Sequence, residues 1–261
     1  MHVAVFGAAG RMGREVCRAV SSDPDLSLVG AVDPQGAGQV LAIGAGAPGS
    51  DRADQIVITA GPDDFEGRQV DVAVDFTRAS AAMENLRWCA AHGVHAVVGT
   101  TGFSPNEESE IGEMFAGGPP NCVLAANFAI GAVLMMHFAE VAAPYMSGAE
   151  IIEMHHRAKL DVPSGTAAQT AKRIIAAGLG AERSGARGVR SDDASVPVHS
   201  VRLEGMLSHQ EVVFGGPGQV LTIRHDSLDR SSFMPGVLLA IKAVGSHPGL
   251  TIGLEKLLNM A

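Results

Sequence analysis

Cysteine is scarce in this chain, and the few residues present are far apart. The sequence has 261 residues and three cysteines, Cys17, Cys89 and Cys122. No two of them form a Cys-x-x-Cys pair, so their spacing supports neither a zinc site nor a disulfide framework. The first two fall in predicted helices and the third in a predicted strand. We therefore expect buried thiols and no metal site.

Aromatic residues, basic runs and long apolar runs are also lacking. The chain has one Trp and one Tyr, a net charge of -9 and a pI near 5.5. An acidic chain without a basic run does not suit nucleic acid. The sequence has no apolar run long enough to cross a membrane, and its N-terminus lacks a signal-peptide pattern. We expect a soluble cytoplasmic protein that binds neither nucleic acid nor a membrane.

Glycine, in contrast, is abundant, with 32 residues, and the chain is long enough for two modest domains. In the first half, apolar strands alternate with amphipathic helices, which predicts a parallel sheet with right-handed crossovers. The predicted strands are 3–6, 26–32, 55–59, 69–77, 95–98 and 122–125. The predicted helices are 11–20, 79–92 and 104–116, and a loop of small residues is predicted at 36–54.

The turn after the first strand is rich in glycine and opens a helix. It consists of Gly7, Ala8, Ala9, Gly10, Arg11, Met12 and Gly13. Glycine permits the tight turn and lets the backbone approach a pyrophosphate, which the N-H groups of the helix start then bind. The spacing is G-x-x-G-x-x-G, a variant of the usual dinucleotide motif.

The second predicted strand ends at Asp33, whose carboxylate can accept hydrogen bonds from ribose hydroxyls. No Lys or Arg follows until Arg52, which favours NADH, although Arg11 in the glycine turn keeps NADPH open. Thr77, Thr100 and Asn127 follow successive later strands. Because the carboxyl ends of parallel strands meet at one edge, these residues are expected to line it.

The second half has a different pattern. A long helix is predicted at 128–146 and another at 166–177, followed by a mobile loop at 178–195. Strands at 198–203, 210–214 and 220–225 alternate with period two, which predicts an antiparallel meander that pairs or stacks between subunits. We expect a dinucleotide-binding domain at 1–127, completed by 231–261 with an apolar helix at 233–244. A substrate and oligomerisation domain is expected at 128–230.

A basic cluster interrupts the acidic chain between a predicted strand at 149–154 and a predicted helix start at Pro163-Ser164-Gly165-Thr166. Its members are His155, His156, Arg157 and Lys159. Cationic side chains beside the N-H groups of a helix start suit an anion. The alternative is a loop of solvated charges with a buried structural histidine.

Taken together, these motifs resemble those of the dihydrodipicolinate reductases, over nearly the whole chain. The most specific match is Glu153 to Ala167, which is similar to the family's E-x-H-H-x-x-K-x-D-A-P-S-G-T-A, with Val162 in place of Ala. Gly7 to Gly13 resembles the family's G-x-x-G-R-M-G. The other matching segments are Asp75 to Thr77, Gly99 to Phe103 and Ala126 to Phe128. The absence of Arg after Asp33 departs from the members that prefer NADPH.

The resemblance implies a Rossmann-like parallel sheet, a C-terminal α+β domain and NAD(P)H-dependent reduction of a cyclic dicarboxylate in lysine and diaminopimelate biosynthesis. His155 and Lys159 are then the catalytic candidates, and either could supply the proton. His156 is expected to contact the substrate, and Gly165 and Thr166 to hold one carboxylate. A homotetramer is expected. The implied cofactor contacts beyond the first turn are Phe76, Thr77, Gly99, Thr100, Thr101, Ala125, Ala126, Asn127 and Phe128.

Two other functions are open to such a chain. A semialdehyde dehydrogenase has a comparable plan, but it needs a nucleophilic thiol, and no cysteine lies beyond Cys122. A ligand-sensing regulator that retained the fold without turnover would be expected to have lost the acid groups His155 and Lys159 or to have gained a partner-binding segment, and the sequence shows neither.

Overall fold

The computed structural model describes residues 1–43, 55–65, 67–179, 196–258 and 260. It divides the chain into one unit of Met1–Phe128 with Phe233–Ala261 and a second unit of Ala129–Ser232. Most of the loop predicted at 36–54 and nearly all of the loop predicted at 178–195 lie outside the described residues. Within the described residues, no helix is long and apolar enough to cross a membrane.

Strands and helices alternate through the first unit. Its helices are α1 (Arg11–Ser22), α2 (Ala79–His92), α3 (Pro105–Phe115) and α6 (Met234–Ala243), and the described helices of the second unit are α4 (Ile130–Ala142) and α5 (Gly165–Ala176). The strands are β1 (His2–Phe6), β2 (Ser27–Val32), β3 (Val40–Ala42), β4 (Gln55–Val57), β5 (Val72–Asp75), β6 (His95–Val98), β7 (Cys122–Leu124), β8 (Gly148–His155), β9 (Val198–Arg202), β10 (Ser208–Gly216), β11 (Gln219–Ser227) and β12 (Leu250–Ile252).

A parallel sheet of six strands forms the middle of the first unit, in the order β12-β7-β6-β5-β1-β2. Its strands are short and apolar because both faces are covered, and β1 is buried from Val3 to Phe6. The predicted Rossmann-like α/β class is confirmed. The carboxyl ends of β1, β5, β6 and β7 are neighbours, so the loops that follow these strands meet at one edge.

Local signals located the ends of the helices well. Ser104 and Glu107 form a capping box at the start of α3, and Gly93 ends α2 in the left-handed region. The helix predicted at 128–146 is shorter, because α4 ends at Ala142 and Pro144 lies in a following 3-10 turn. Proline lacks the N-H that a continuing helix requires.

Two strands of the first unit were not predicted. β12 pairs in parallel with β7 and completes one edge of the sheet. β3 lies in the segment predicted as a loop and pairs with β4 in a small antiparallel sheet. Each has three residues, too few to show a period, so pairing with a neighbour rather than a local pattern makes them strands.

The predicted antiparallel meander of the second unit is confirmed for β10 and β11, which pair antiparallel, but it is wrong for β9. The sheet has the order β11-β10-β8-β9, with β8 between β9 and β10. β8 runs parallel to β9 and antiparallel to β10. The alternating burial of β8 hides Ile151 and Glu153 completely, which suits a central strand. A period-two pattern identifies a strand but does not identify its neighbours.

Candidate active site

The last residues of β8 form the centre of the predicted site. His155 belongs to the strand rather than to the loop, so it shares a face with Glu153, two residues earlier. Its Nδ1 lies 2.5 Å from Glu153 Oε2, and its Nε2 lies 3.1 Å from the Ser208 hydroxyl. Burial lowers the pKa of His155 most, with Lys159 and Arg202 lowering it further, although Glu153 acts to raise it. The unliganded imidazole is therefore neutral at neutral pH.

The remaining basic groups follow on the loop. His156 is half-buried and Arg157 is exposed. Lys159 Nζ lies 2.8 Å from Asp161 Oδ1. Burial acts to raise the pKa of Asp161, but Lys159 outweighs it and keeps that pKa below its ordinary value. Among the predicted basic groups, Lys159 thus has an ionic partner within the loop itself.

Helix α5 begins directly after this loop. Ser164 is its N-cap, and its hydroxyl accepts from Ala167 N at 3.2 Å. Gly165 and Thr166, which are predicted to bind one carboxylate of the substrate, are the first residues of the helix. The Gly165 N-H acts with Lys159 to lower the pKa of the Asp161 carboxyl. The partial positive charge of the helix start and the Lys159 ammonium therefore lie in one loop-to-helix segment.

Three further residues of this site were not assigned a role from the sequence. Glu153 is completely buried and accepts from Arg202 Nη2 at 2.8 Å and from Arg202 Nη1 at 2.9 Å. Arg202 ends β9, and Ser208 begins β10. Only the position of Glu153, two residues before His155 on a strand, could have indicated contact with that histidine. The other contacts depend on strand pairing.

In the first unit, the glycine turn has the predicted geometry. Gly7 has a φ of +78°, a region that favours glycine, and its N-H donates to Val32 O at 2.8 Å. Ala8 N donates to the same oxygen at 3.1 Å. A Cβ on Gly13 would lie 2.0 Å from Gly7 O, so this position has no room for a side chain. Gly10 caps α1 without a side chain, so the first N-H groups of the helix have no side-chain cap.

The Asp33 side chain lies against this turn. Its Oδ2 accepts from Ala9 N at 3.1 Å and its Oδ1 from Gln35 N at 3.0 Å. Arg14 Nε donates to Ala9 O at 2.9 Å, so a guanidinium is also near the turn. The sequence pointed to Arg11 and to the cations that follow Asp33, but it did not indicate Arg14, which comes from the first turn of α1.

A buried carboxylate connects the later turns. Asp75 is 3% exposed, and its Oδ1 accepts from the hydroxyls of Thr77 and Thr100, each at 2.7 Å. Asn85 donates to Oδ2 at 2.7 Å. The hydroxyl of Thr100 also accepts from Thr77 N at 2.8 Å, so it holds the turns together. Sequence reasoning missed Asp75 and Asn85 as supports of this edge.

The other predicted cofactor residues lie at the same edge. Thr101 and Ala126 are exposed, Asn127 is half-buried, and Ala125 and Phe128 are buried. The rings of Phe76 and Phe128 are 5.8 Å apart between centroids. A Cβ on Gly99 would lie 2.1 Å from the Phe76 ring, so Gly99 is required for that ring to pack here. Together with Arg11 and Met12 at the start of α1, these residues surround one sheet edge.

Thiol and metal chemistry have little support. The three cysteines are buried, and burial raises the pKa of Cys17 to about 12 and also raises those of Cys89 and Cys122. Such thiols do not ionise at neutral pH, which counts against the semialdehyde dehydrogenase alternative. Within the described residues, no group of His, Cys, Asp or Glu is arranged to hold a metal ion.

The whole chain is similar to one family of proteins. The family models described as "Dihydrodipicolinate reductase, N-terminus" and "Dihydrodipicolinate reductase, C-terminus" match residues 1–128 and 131–258. Proteins named 4-hydroxy-tetrahydrodipicolinate reductase include one from Cutibacterium acnes, 47% identical and covering 99% of this chain and 98% of its own length. Another, from Thermobifida fusca, is 48% identical and covers 99% of each chain.

A solved structure gives the same result. "Dipicolinate bound Dihydrodipicolinate reductase from Paenisporosarcina sp. TG-14" is 35% identical, covers 98% of each chain and superimposes with a TM-score of 0.78. The likeness therefore extends over both units and is not confined to the dinucleotide fold.

Proposed function

This chain belongs to the dihydrodipicolinate reductase family, and from that premise we propose which of its residues bind and protonate the substrate. Its activity is the NAD(P)H-dependent reduction of a cyclic dicarboxylate in lysine and diaminopimelate biosynthesis. The observation that carries the assignment of residues is the short segment from His155 to Thr166, which joins a buried imidazole, a lysine and a helix start.

We assign substrate binding to His156, Gly165 and Thr166. The substrate carries two carboxylates, and the N-H groups of a helix start bind such anions well. In the structure, Lys159 forms an ion pair with the Asp161 carboxylate, and the Gly165 N-H acts with Lys159 to lower the pKa of that carboxyl. The Asp161 carboxylate therefore interacts with the same groups that a substrate carboxylate would use. We infer that the substrate competes with Asp161 for Lys159 and the Gly165 N-H.

His155 and Lys159 are the groups that we assign to proton transfer. When bound, the reduced nicotinamide supplies a hydride to the conjugated C=C–C=N system of the ring, and a proton must reach the neighbouring carbon. The imidazole of His155 is neutral without ligand, because burial lowers its pKa. A bound dianion favours the imidazolium and so raises the pKa of His155. Substrate binding would therefore protonate His155, which later donates that proton. Lys159 is the alternative donor, and its charge also stabilises the negative charge that develops on the ring.

A dinucleotide fits the turns of the first unit. The positive φ of Gly7, the absence of a side chain at Gly10 and the tight packing at Gly13 leave backbone N-H groups at the start of α1 for a pyrophosphate. We assign the ribose hydroxyls to Asp33, whose carboxylate is held by two backbone N-H groups. This favours NADH, whereas Arg14 and Arg11 are the cations available for the extra phosphate of NADPH.

The assay follows cofactor oxidation after the protein is mixed with freshly made substrate and either NADH or NADPH. We expect turnover with both cofactors and the lower Kd for NADH. Asp33→Asn should weaken NADH binding by about tenfold and leave dipicolinate binding unchanged, because the loss of one charged hydrogen bond costs about 1.5 kcal/mol. Equal affinity of this variant and the parent protein for NADH would refute the role of Asp33. A protein that binds dipicolinate and NADH without oxidising the cofactor would instead be a sensor.

We further infer a homotetramer in the cytoplasm. Val220 and Leu221 on the edge strand β11, together with Phe138, Val141 and Tyr145 on and after α4, are exposed apolar residues of the second unit. Apolar groups gathered on one unit support assembly through that unit.

A further inference from the structure

The buried carboxylate of Glu153 accepts four hydrogen bonds, about as many as its two oxygens have acceptor sites. It is completely buried and accepts from His155 Nδ1, both terminal nitrogens of Arg202 and Ser164 N, the last at 3.3 Å. Burial acts to raise the pKa of Glu153, but the side chains of Arg202, Ser200 and His155 outweigh it and keep that pKa below its ordinary value. Glu153 is therefore an anion at neutral pH.

The pairing of three strands brings these groups together. In the ladder, His155 is opposite Arg202 of β9 on one side and Ser208 of β10 on the other. The segment between β9 and β10 passes the end of β8, where Leu203 N donates to His155 O at 3.0 Å. Backbone pairing thus fixes the positions from which the side chains of Arg202 and Ser208 approach the histidine.

The ionised carboxylate determines which ring nitrogen carries a proton. A carboxylate can only accept a hydrogen bond, so His155 Nδ1 must donate to Glu153. In the neutral ring, Nε2 then accepts from the Ser208 hydroxyl, 3.1 Å away. Nε2 is therefore the nitrogen that gains and loses a proton. The ring cannot rotate without breaking the bond to Glu153.

Arg202 has a separate electrostatic role. A buried carboxylate beside an imidazole would by itself favour the imidazolium. Arg202 compensates the charge of Glu153 through two hydrogen bonds, so the imidazole remains free to lose its proton. In the described part of the chain, the charges that act on this ring come from Glu153 on β8, Arg202 on β9 and Lys159 on the loop. From β10, the uncharged Ser208 faces the ring.

We propose that Glu153 and Arg202 are positioning residues for the reaction: Glu153 holds His155 with its proton on Nδ1, and Arg202 balances the carboxylate so that Nε2 exchanges the proton. Their proposed effect on turnover rests on the proposed function of His155. Their effect on the state of His155 does not, because it can be measured in the protein without substrate.

The test is a titration of His155 by NMR in protein labelled with 15N-histidine, with the signal of His155 identified by its loss in His155→Gln. We expect the parent protein to show a neutral ring protonated on Nδ1. Glu153→Gln removes a charge that favours the imidazolium, so the titration of His155 should move to lower pH. Arg202→Met removes a charge that disfavours it, so the titration should move to higher pH.

Opposite displacements distinguish this network from general damage to the fold. A shift in the same direction for both variants, or no shift in either, would overturn the proposal. Arg202→Lys keeps the charge and should titrate close to the parent. If Arg202→Met does not fold, the other two variants still decide the result. Glutamine has nearly the size of glutamate, so Glu153→Gln changes the charge alone, and Arg202→Lys keeps the charge. Glu150→Gln is the matched control, because Glu150 on β8 pairs with His199 on β9 at 2.9 Å but is exposed.

Turnover provides the second measurement. Both Glu153→Gln and Arg202→Met should lower kcat by about a hundredfold, the usual effect of a small misplacement of a catalytic group. The pH at which kcat/KM falls should shift as the titration of His155 does: to lower pH in Glu153→Gln and to higher pH in Arg202→Met. If the NMR titrations move as expected while the kcat/KM profiles do not, the positioning of His155 stands and Lys159 is the proton donor.

Discussion

At the scale of single residues, two neighbouring histidines have different environments. His155 is buried at the end of β8, with both ring nitrogens hydrogen-bonded, whereas His156 follows the strand and is half-buried. Because side chains alternate across a strand, one points to the buried face and the next does not. This difference in burial is the reason why we propose proton transfer for His155 and substrate contact for His156.

Lys159 allows a direct test at this scale. Lys159→Met should lower kcat by roughly a hundredfold or more, because it removes a proton donor and the charge that stabilises the reduced ring. Steady-state kinetics and the Kd of dipicolinate separate this effect from loss of binding. Lys172→Met, on the exposed side of α5, is the control and should behave like the parent. A Lys159→Met enzyme with undiminished turnover would leave His155 as the only proton donor.

At the scale of elements, α1 depends on a close approach between its own backbone and the glycine turn. Gly13 lies inside the helix, where glycine normally costs stability, yet a Cβ there would meet the backbone of Gly7 and Ala8. Glycine is therefore needed at position 13 because the backbone of the turn lies too close for a side chain, and not because the helix must be flexible there. Gly112, inside α3, has no such contact: a Cβ there would meet only Leu250, 3.8 Å away.

The two glycines form a matched pair for substitution. Gly13→Ala should reduce the free energy of unfolding by about 1–3 kcal/mol, since backbone atoms cannot move aside cheaply, and should weaken NADH binding. Gly112→Ala should instead add about 0.5–1 kcal/mol, because alanine is the better helix former and restricts the unfolded chain. Urea unfolding measures both free energies. A similar response of the two variants would contradict the role given to the tight turn.

The sheet of the second unit shows where local patterns stop being informative. Each predicted strand exists, but the meander does not, because the end of β9 and the start of β10 lie on opposite sides of β8. The strand that carries His155 is therefore central, and its neighbours supply Arg202 and Ser208. An error in strand order concealed the partners of His155.

At the scale of the whole molecule, the exposed apolar residues of the second unit predict assembly. Light scattering coupled to size exclusion should report a tetramer. Val220→Glu or Leu221→Glu should give smaller species, because a charge buried in an interface without a partner is costly. Val40→Glu, at an exposed apolar position of β3 in the first unit, should leave the tetramer intact. A monomeric parent protein would remove the prediction.

By itself, the sequence determined the alternation of strands and helices, the glycine turn with Asp33, and the segment from His155 to Thr166. These features rest on periodicity, turn chemistry and helix capping, which act over a few residues. Only the tertiary structure decided that β8 is central, that β12 completes the first sheet, and that Arg202 and Ser208 meet Glu153 and His155. Such contacts join strands far apart in the chain, and their pairing depends on which faces are buried together, a property that no short stretch of sequence contains.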